Sequence, residues 1–391
     1  MKEYIKYFDS EIAADDYRIV DVPFISRINL GNNEYVNLRT TQENKQISIV
    51  GGQPEVTPID HRLRFVSKGN SSVGLEKLST GQTVYYLIDS GENWDNDEMW
   101  TEMTTATTMV NLTDGQKMYI RGTLTSNNTS DDSTQFKTTG NISLKGNLNY
   151  LWNYENLDAS LKEYCGYYLF SECTAITDAS EMFLGTSATT LPKCCYTNMF
   201  SGCTSLTTAP ALPATTLAGS CYWSMFEGCS SLTTAPELSA TTLEFGCCQN
   251  MFKGCTSLTT APSILPATTL TGQCYSHMFE GCTSLTTAPA LPATTLAQSC
   301  YNSMFAGCTS LTTAPELPST TLKKYCYSSM FKGCEKLAYV KCLATDISAS
   351  SCTKSWTEGV ASTGVFIKDA SVTSWTTGTD GIPEGWTVQD A

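Results

Sequence analysis

A 26-residue unit, CYxxMFxGCTSLTTAPxLPATTLAxx, runs almost unchanged through the second half of this 391-residue chain. Its anchor is Phe-x-x-Cys, found at Phe200/Cys203, Phe226/Cys229, Phe252/Cys255, Phe279/Cys282, Phe305/Cys308 and Phe331/Cys334. Successive anchors are 26, 26, 27, 26 and 26 residues apart, and the one long step carries an extra residue at Ser263-Ile264. A degenerate copy, Phe170/Cys173, lies 30 residues before the first clean one. A tandem period of this length predicts a solenoid, because one unit cannot bury its apolar face alone and does so against its neighbours. Units this alike point to a binding or display surface and away from a catalytic pocket.

The eighteen cysteines follow the same period. Pairs eight apart recur in register: Cys165/Cys173, Cys195/Cys203, Cys221/Cys229, Cys247/Cys255, Cys274/Cys282, Cys300/Cys308 and Cys326/Cys334. They occupy two fixed places per coil and so form two ladders. Coils paired as strands lie about 4.7–4.9 Å apart, whereas a disulfide wants its Cβ atoms about 3.8 Å apart. Free, buried, hydrophobe-like thiols are the expected state. Zinc-ribbon Cys-x-x-Cys spacing is missing and His61 and His277 are the two histidines, so no metal site is expected.

A chain this long suggests more than one domain. Residues 1–50 read as a separate segment for anchoring or assembly, with strands around Gly31-Asn32-Asn33, and Gly51-Gly52-Gln53-Pro54 reads as a linker. Residues 51–148 read as an all-β, sandwich-like domain. LRFVS, TVYYLID, MWTEM, TTMVNL and KMYIRGTL are short runs rich in β-branched and aromatic residues. Asp114-Gly115 signals a tight hairpin between two of them. Residues 149–343 hold the solenoid, about seven coils, with Leu151, Trp152 and Tyr154 covering its first coil. Residues 344–391 read as a C-terminal cap.

Within one coil, residues 221–246 for instance, Cys221 to Phe226 places apolar residues at i, i+4 and i+5, which predicts a short helix on the convex side. Gly228 would end it. Thr234 to Leu238 would pair with its copies above and below, cut very short because Pro236 has no N–H to give the ladder. Leu243 would return to the core. The Thr pairs suit a half-exposed β surface.

The phrases MFxGCTSLTTAPELPATTLA and YCYSSMFKGC resemble BspA-type, also called Treponema-type, leucine-rich repeats. Met225-Phe226 stands where that family has Ala-Phe, Cys229 stands at its Cys, and Leu232, Leu243 and the Leu-Pro of other copies (Leu212-Pro213, Leu291-Pro292) fill the rest. The second copy departs from the pattern with Ser239 where Pro is usual. The resemblance covers residues 165–343. It implies an α/β leucine-rich-repeat solenoid with short parallel strands and short convex helices, here preceded by the small all-β domain. Residues 358–362 and Gly381 to Val388 are similar to tails that accompany such repeats in gut Bacteroidota proteins. Leu87 to Trp94 is similar to the Asp-box turn, a structural hairpin element.

The function this implies is adhesive and structural. Such repeats belong to bacterial surface adhesins and are also similar to parts of bacteriophages that infect gut Bacteroidota. The polar, acidic start lacks the basic and apolar regions of a secretory signal, which favours a virion surface component such as a head fibre or decoration protein. Residues 1–50 would then meet other virion proteins, and the repeats would meet a bacterial surface, a glycan or host matrix. The alternative is a secreted or cell-surface BspA-like adhesin. A homo-oligomer is left open, since no coiled-coil heptad is found. With 38 acids against 24 bases and no basic stripe, nucleic-acid binding is not expected. No run reaches the roughly 18 apolar residues of a membrane helix.

No catalytic motif, cofactor or metal is expected: phosphate loops, G-x-S-x-G and His-rich metal motifs are missing. Asp95, Asp97 and Glu98 lack the order of a calcium loop and read as a solvated turn. His277 stands where other copies have Ser224, Asn250, Ser303 and Ser329, so it reads as a surface residue. The candidate ligand contacts are Glu237, Glu316 and Trp223, which differ between otherwise identical coils.

Overall fold

The computed structural model describes the backbone of residues 27–31 and 34–37, and residues 62–391 apart from 89–98, 107–108, 125–131, 155–159 and 185–188. The chain divides into two compact units, Met1–Asp60 and His61–Ala391. In the first, β1 (Arg27–Gly31) and β2 (Glu34–Asn37) pair antiparallel. The rest of the 1–50 segment, the linker at 51–54, the Asp-box residues 89–94 and the acids Asp95, Asp97 and Glu98 lie outside the described residues.

The second unit opens with eight strands: β3 (Arg64–Ser67), β4 (Ser71–Lys77), β5 (Val84–Ile88), β6 (Thr101–Met103), β7 (Val110–Leu112), β8 (Lys117–Gly122), β9 (Gln135–Thr139) and β10 (Ile142–Asn147). All five runs singled out in the sequence become strands. The expected hairpin at Asp114-Gly115 does not form. The turn is tight, with Gly115 at φ +74° and Gln116 N–H donating to Thr113 O at 3.1 Å. It nevertheless carries the chain between sheets, since β7 pairs with β4 while β8 pairs with β3 and β5.

Nor is this region a free-standing sandwich. β10 pairs antiparallel with β3 on one side and parallel with β11 (Ile176–Phe183), the first strand of the repeats, on the other. The Phe136 ring stacks on Phe170 at 5.6 Å, and the thiol of Cys173 donates to Phe136 O at 3.1 Å. The first coil is therefore covered chiefly by β9 and β10. Leu151 is buried in support, in the four-residue helix α1 (Asn149–Trp152). One apolar core runs on from Leu63 to Trp386.

The repeats wind into a β-solenoid of about eight turns with almost no helix. The convex helices expected at CYxxMF are absent, and α1 is the one α-helix among the described residues. The segment is instead a row of tight turns. In the coil at 220–229, Cys221, Trp223, Met225, Glu227 and Cys229 each donate N–H to the carbonyl three residues back. The residues between them, Ser220, Tyr222, Ser224, Phe226 and Gly228, donate to the next coil, at Phe245, Cys247, Gln249, Met251 and Lys253. Every N–H in the run is thus satisfied, half locally and half across the stack, as a buried backbone requires. A helix would use all of them locally and leave the coils bound by side chains alone. The turns need a left-handed residue every fourth position: Ser299, Ser303 and Gly307 have φ of 57°, 53° and 75°. The helix-like spacing of apolar residues misleads here because a four-residue turn repeat brings i and i+4 to one side as a helix does.

On the rest of the coil the chain is pinned at isolated points. Thr234 bridges Thr260, Leu212 bridges Leu238, and β12 (Thr190–Leu191), β13 (Thr216–Leu217) and β14 (Thr242–Leu243) make two-residue parallel strands. The proline in each coil limits pairing to these points, as expected from its missing N–H. Coiling persists past residue 343: β15 (Tyr339–Cys342), β16 (Val365–Lys368) and β17 (Thr387–Asp390) form a parallel sheet. Ser351, Ser355 and Gly359 continue the left-handed series.

Candidate interaction site

Two columns of rings run up the core. Phe200, Phe226, Phe252, Phe279, Phe305 and Phe331 stack at 5.5–5.9 Å between neighbours, with planes within 10°. A tyrosine column (Tyr275, Tyr301, Tyr327) stands beside it at 5.9–6.0 Å, and Cys248 takes the tyrosine place in one coil. Both columns end on Trp356, which lies 6.2 Å from Tyr327 and from Phe331 and donates its indole N–H to Gly381 O at 2.8 Å. Trp375 stacks over it at 5.6 Å.

The cysteine ladder at Cys203, Cys229, Cys255, Cys282, Cys308 and Cys334 follows the Phe column, and each of these residues is fully buried. Each thiol donates to the carbonyl of the Phe in the coil before it, Cys255 to Phe226 at 3.2 Å and Cys334 to Phe305 at 3.1 Å. That explains a cysteine here and not an alanine: it fills an apolar place yet brings a donor to a carbonyl lone pair that the turn leaves over. All eighteen cysteines are buried free thiols. Burial pushes Cys255, Cys300 and Cys334 from the ordinary thiol value up to about 12. They stay protonated at neutral pH and are poor nucleophiles and poor metal ligands. Among the described residues no group of three His, Cys, Asp or Glu side chains is arranged to hold a metal.

The proline side carries exposed features. A shallow open notch of about 580 Å³ is walled by Pro289, Leu291, Pro292, Pro315 and Pro318, with Ser263 and Glu316 at its rim. It forms beside the 27-residue step of the repeat, where the extra residue lets Ile264 bridge Ala290 and stand 39% exposed. Glu237 and Glu316 both approach this edge. The Glu237 carboxylate accepts the Ser263 N–H at 3.0 and 3.1 Å and the Ser263 hydroxyl at 2.9 Å. Glu316 pairs with Lys341 at 3.2 Å. The third candidate, Trp223, is 41% exposed but belongs to the turn run, so the fold does not gather it with the two glutamates.

Sequence reasoning missed the proline walls, which repeat so regularly that they read only as turn formers. The signal that could have marked them is the 27-residue step. It also missed Phe245, 59% exposed, whose ring lies where a Cβ on Gly272 would come within 3.1 Å of it. His277 reads differently from a free surface residue: it holds a left-handed turn position at φ 57° and its Nδ1 lies 2.6 Å from Glu280 Oε2. That contact, with help from Lys253, draws the Glu280 carboxyl below its usual range. The arrangement offers shape, apolar walls and two carboxylates, and it offers no paired nucleophile and base. Compared with protein-family models, curated proteins and solved structures, the chain matches none.

Proposed function

We propose that this chain is a non-enzymatic display and attachment protein, in which the solenoid carries a recessed, proline-walled contact edge. The observation behind the reading is the pairing of a turn side whose backbone is bonded from coil to coil with a notch on the proline side, beside the 27-residue step. A structure of that kind holds a surface rigid along its length and leaves outward-facing side chains free to vary. Glu237, Glu316 and the notch prolines are the proposed contact set, with Trp223 as a separate exposed contact. The class of ligand is a bacterial surface, glycan or host-matrix component. Following the resemblance to BspA-type repeats, the setting we propose is the surface of a bacteriophage particle, with residues 1–50 toward other virion proteins. The same array would equally serve a cell-surface adhesin.

Labelled protein applied to gut bacterial cells and to immobilised glycans tests the contact edge. Binding should drop at least about tenfold, about 1.4 kcal/mol, when Glu237 and Glu316 are both replaced by Ala, and unchanged binding would remove those residues from the site. Mass spectrometry of purified particles tests the setting: the chain should be found in virions, and its confinement to cell envelopes would favour the adhesin.

A further inference from the structure

One step of the second cysteine ladder differs from all the others. Sγ of Cys165 lies 2.7 Å from Sγ of Cys195, 30 residues on. Non-bonded carbon atoms rest about 3.5–4.0 Å apart and sulfur is larger than carbon, so these two atoms are held well inside ordinary contact. Several other thiols bond to backbone carbonyls, while Cys247 meets the side chain of its neighbour Cys248 within one coil. Cys221 donates to Pro192 O at 3.1 Å and Cys352 to Ile347 O at 3.3 Å. Cys173 and Cys203 donate to Phe136 O and Phe170 O at 3.1 and 3.0 Å. Oxidising any of those would sacrifice a buried hydrogen bond to a carbonyl. Joining Cys165 to Cys195 sacrifices the contact between the thiols themselves and disturbs the side-chain contact of Cys195 with Tyr196, but breaks no bond to a backbone carbonyl.

The surrounding backbone already holds the two residues together, because Tyr196 N–H donates to Cys165 O at 2.8 Å. The pair also sits at the longer, 30-residue step, between the first coil and the second. Cys165 keeps 5% exposure at a corner flanked by exposed Lys162 and Glu163, whereas Cys195 has none. One thiol can therefore meet an oxidant while the other waits beside it.

We propose that Cys165 and Cys195 form a redox-controlled disulfide that staples the first coil of the solenoid to the second. With a small disulfide such as oxidised glutathione as oxidant, the Cys165 thiolate attacks one glutathione sulfur and expels a glutathione thiolate. The Cys195 thiol then gives up its proton and attacks the Cys165 sulfur, expelling the second glutathione thiolate. Both protons end on the two glutathione thiols. The protein loses two protons and two electrons, which reduce one oxidised glutathione to two reduced molecules. The sulfurs need to close from 2.7 Å to about 2.05 Å. The staple would form in oxidising surroundings and be absent in a reducing cytosol, so the joint would tighten as the protein leaves the cell that made it.

The test uses the full chain, reduced, freed of reductant and equilibrated with oxidised glutathione. Remaining thiols are alkylated in denaturant and the protein is digested without reductant for peptide mapping. The expected result is a loss of two thiols from the eighteen, with one cross-linked species joining the peptides of Cys165 and Cys195. Retention of all eighteen thiols overturns the proposal, provided the reaction is repeated in urea just below the unfolding transition so that access is not limiting. A stable glutathione adduct on Cys165, or cross-links spread over other ladder steps, overturns it as well. Cys195→Ala should keep every remaining thiol free of a second protein sulfur. If that variant fails to fold, the cross-link map of the unaltered chain decides alone.

Discussion

The two sides of each coil are built from the same chain by opposite rules. On the turn side every backbone N–H from 220 to 229 is used, alternately within the coil and to the next one. Rings and thiols repeat there coil after coil. On the proline side the coils touch through single bridges and two-residue strands, threonines stand exposed, and the residue between Pro and Leu changes from Glu237 to Ser263, Ala290 and Glu316. Where each residue is held from above and below, a substitution disturbs three coils at once. Variation is absorbed on both sides where a side chain reaches solvent, at Glu227, Lys253, Glu280, Ala306 and Lys332 on the turn side and at Glu237, Ser263, Ala290 and Glu316 on the proline side, and the notch lies on the proline side.

Four measurements would break or sharpen this contrast. The largest effect should come from alkali. Folded Cys255, Cys300 and Cys334 keep their protons up to about 12, while the unfolded chain releases them near the ordinary thiol value. Between those values the folded state binds more protons than the unfolded one, so stability is intact below about pH 9 and falls as pH rises toward 12. Each such thiol removes about 1.4 kcal/mol per pH unit. Urea midpoints taken across that range should drop steeply, and a flat profile would mean that the ladder is open to solvent.

Phe252→Ala comes next. It deletes a ring stacked at 5.6 Å on Phe226 and 5.5 Å on Phe279 and should cost about 3–5 kcal/mol. Hydrogen exchange should quicken in the coils on both sides of residue 252. Exchange confined to its own coil would contradict the shared-core description.

At Ser303, with φ 53°, the order of two substitutions separates a turn from a helix. Valine, branched at Cβ, should cost about 1–2 kcal/mol in a left-handed position, and glycine should be nearly neutral. A helix would rank them the other way, since glycine is the poorer helix former. The smallest change in stability belongs to Glu316→Ala, which removes an exposed ion pair with Lys341 and should shift stability by less than about 1 kcal/mol. A large loss of stability there would show that the proline side is as tightly held as the turn side.

The sequence revealed much of this protein through its period. Residues recurring every 26 positions had to stack, so Phe226 and Cys229 could be placed in a core and the eighteen cysteines read as unpaired without coordinates. The strands at Arg64–Ser67, Val84–Ile88 and Lys117–Gly122 were legible from their β-branched and aromatic content. Of the candidate contacts, Glu237 and Glu316 were legible as variation within a constant frame. The notch was not, because its walls are the constant residues. Only the tertiary structure decided the path of CYxxMF, since half of its hydrogen bonds go to residues about 25 positions away and no local propensity reports them. It likewise decided that Asp114-Gly115 connects two sheets and that β9 and β10 cover the first coil. Those outcomes depend on which distant edge is free to pair, whereas the period depends on nothing outside the repeat itself.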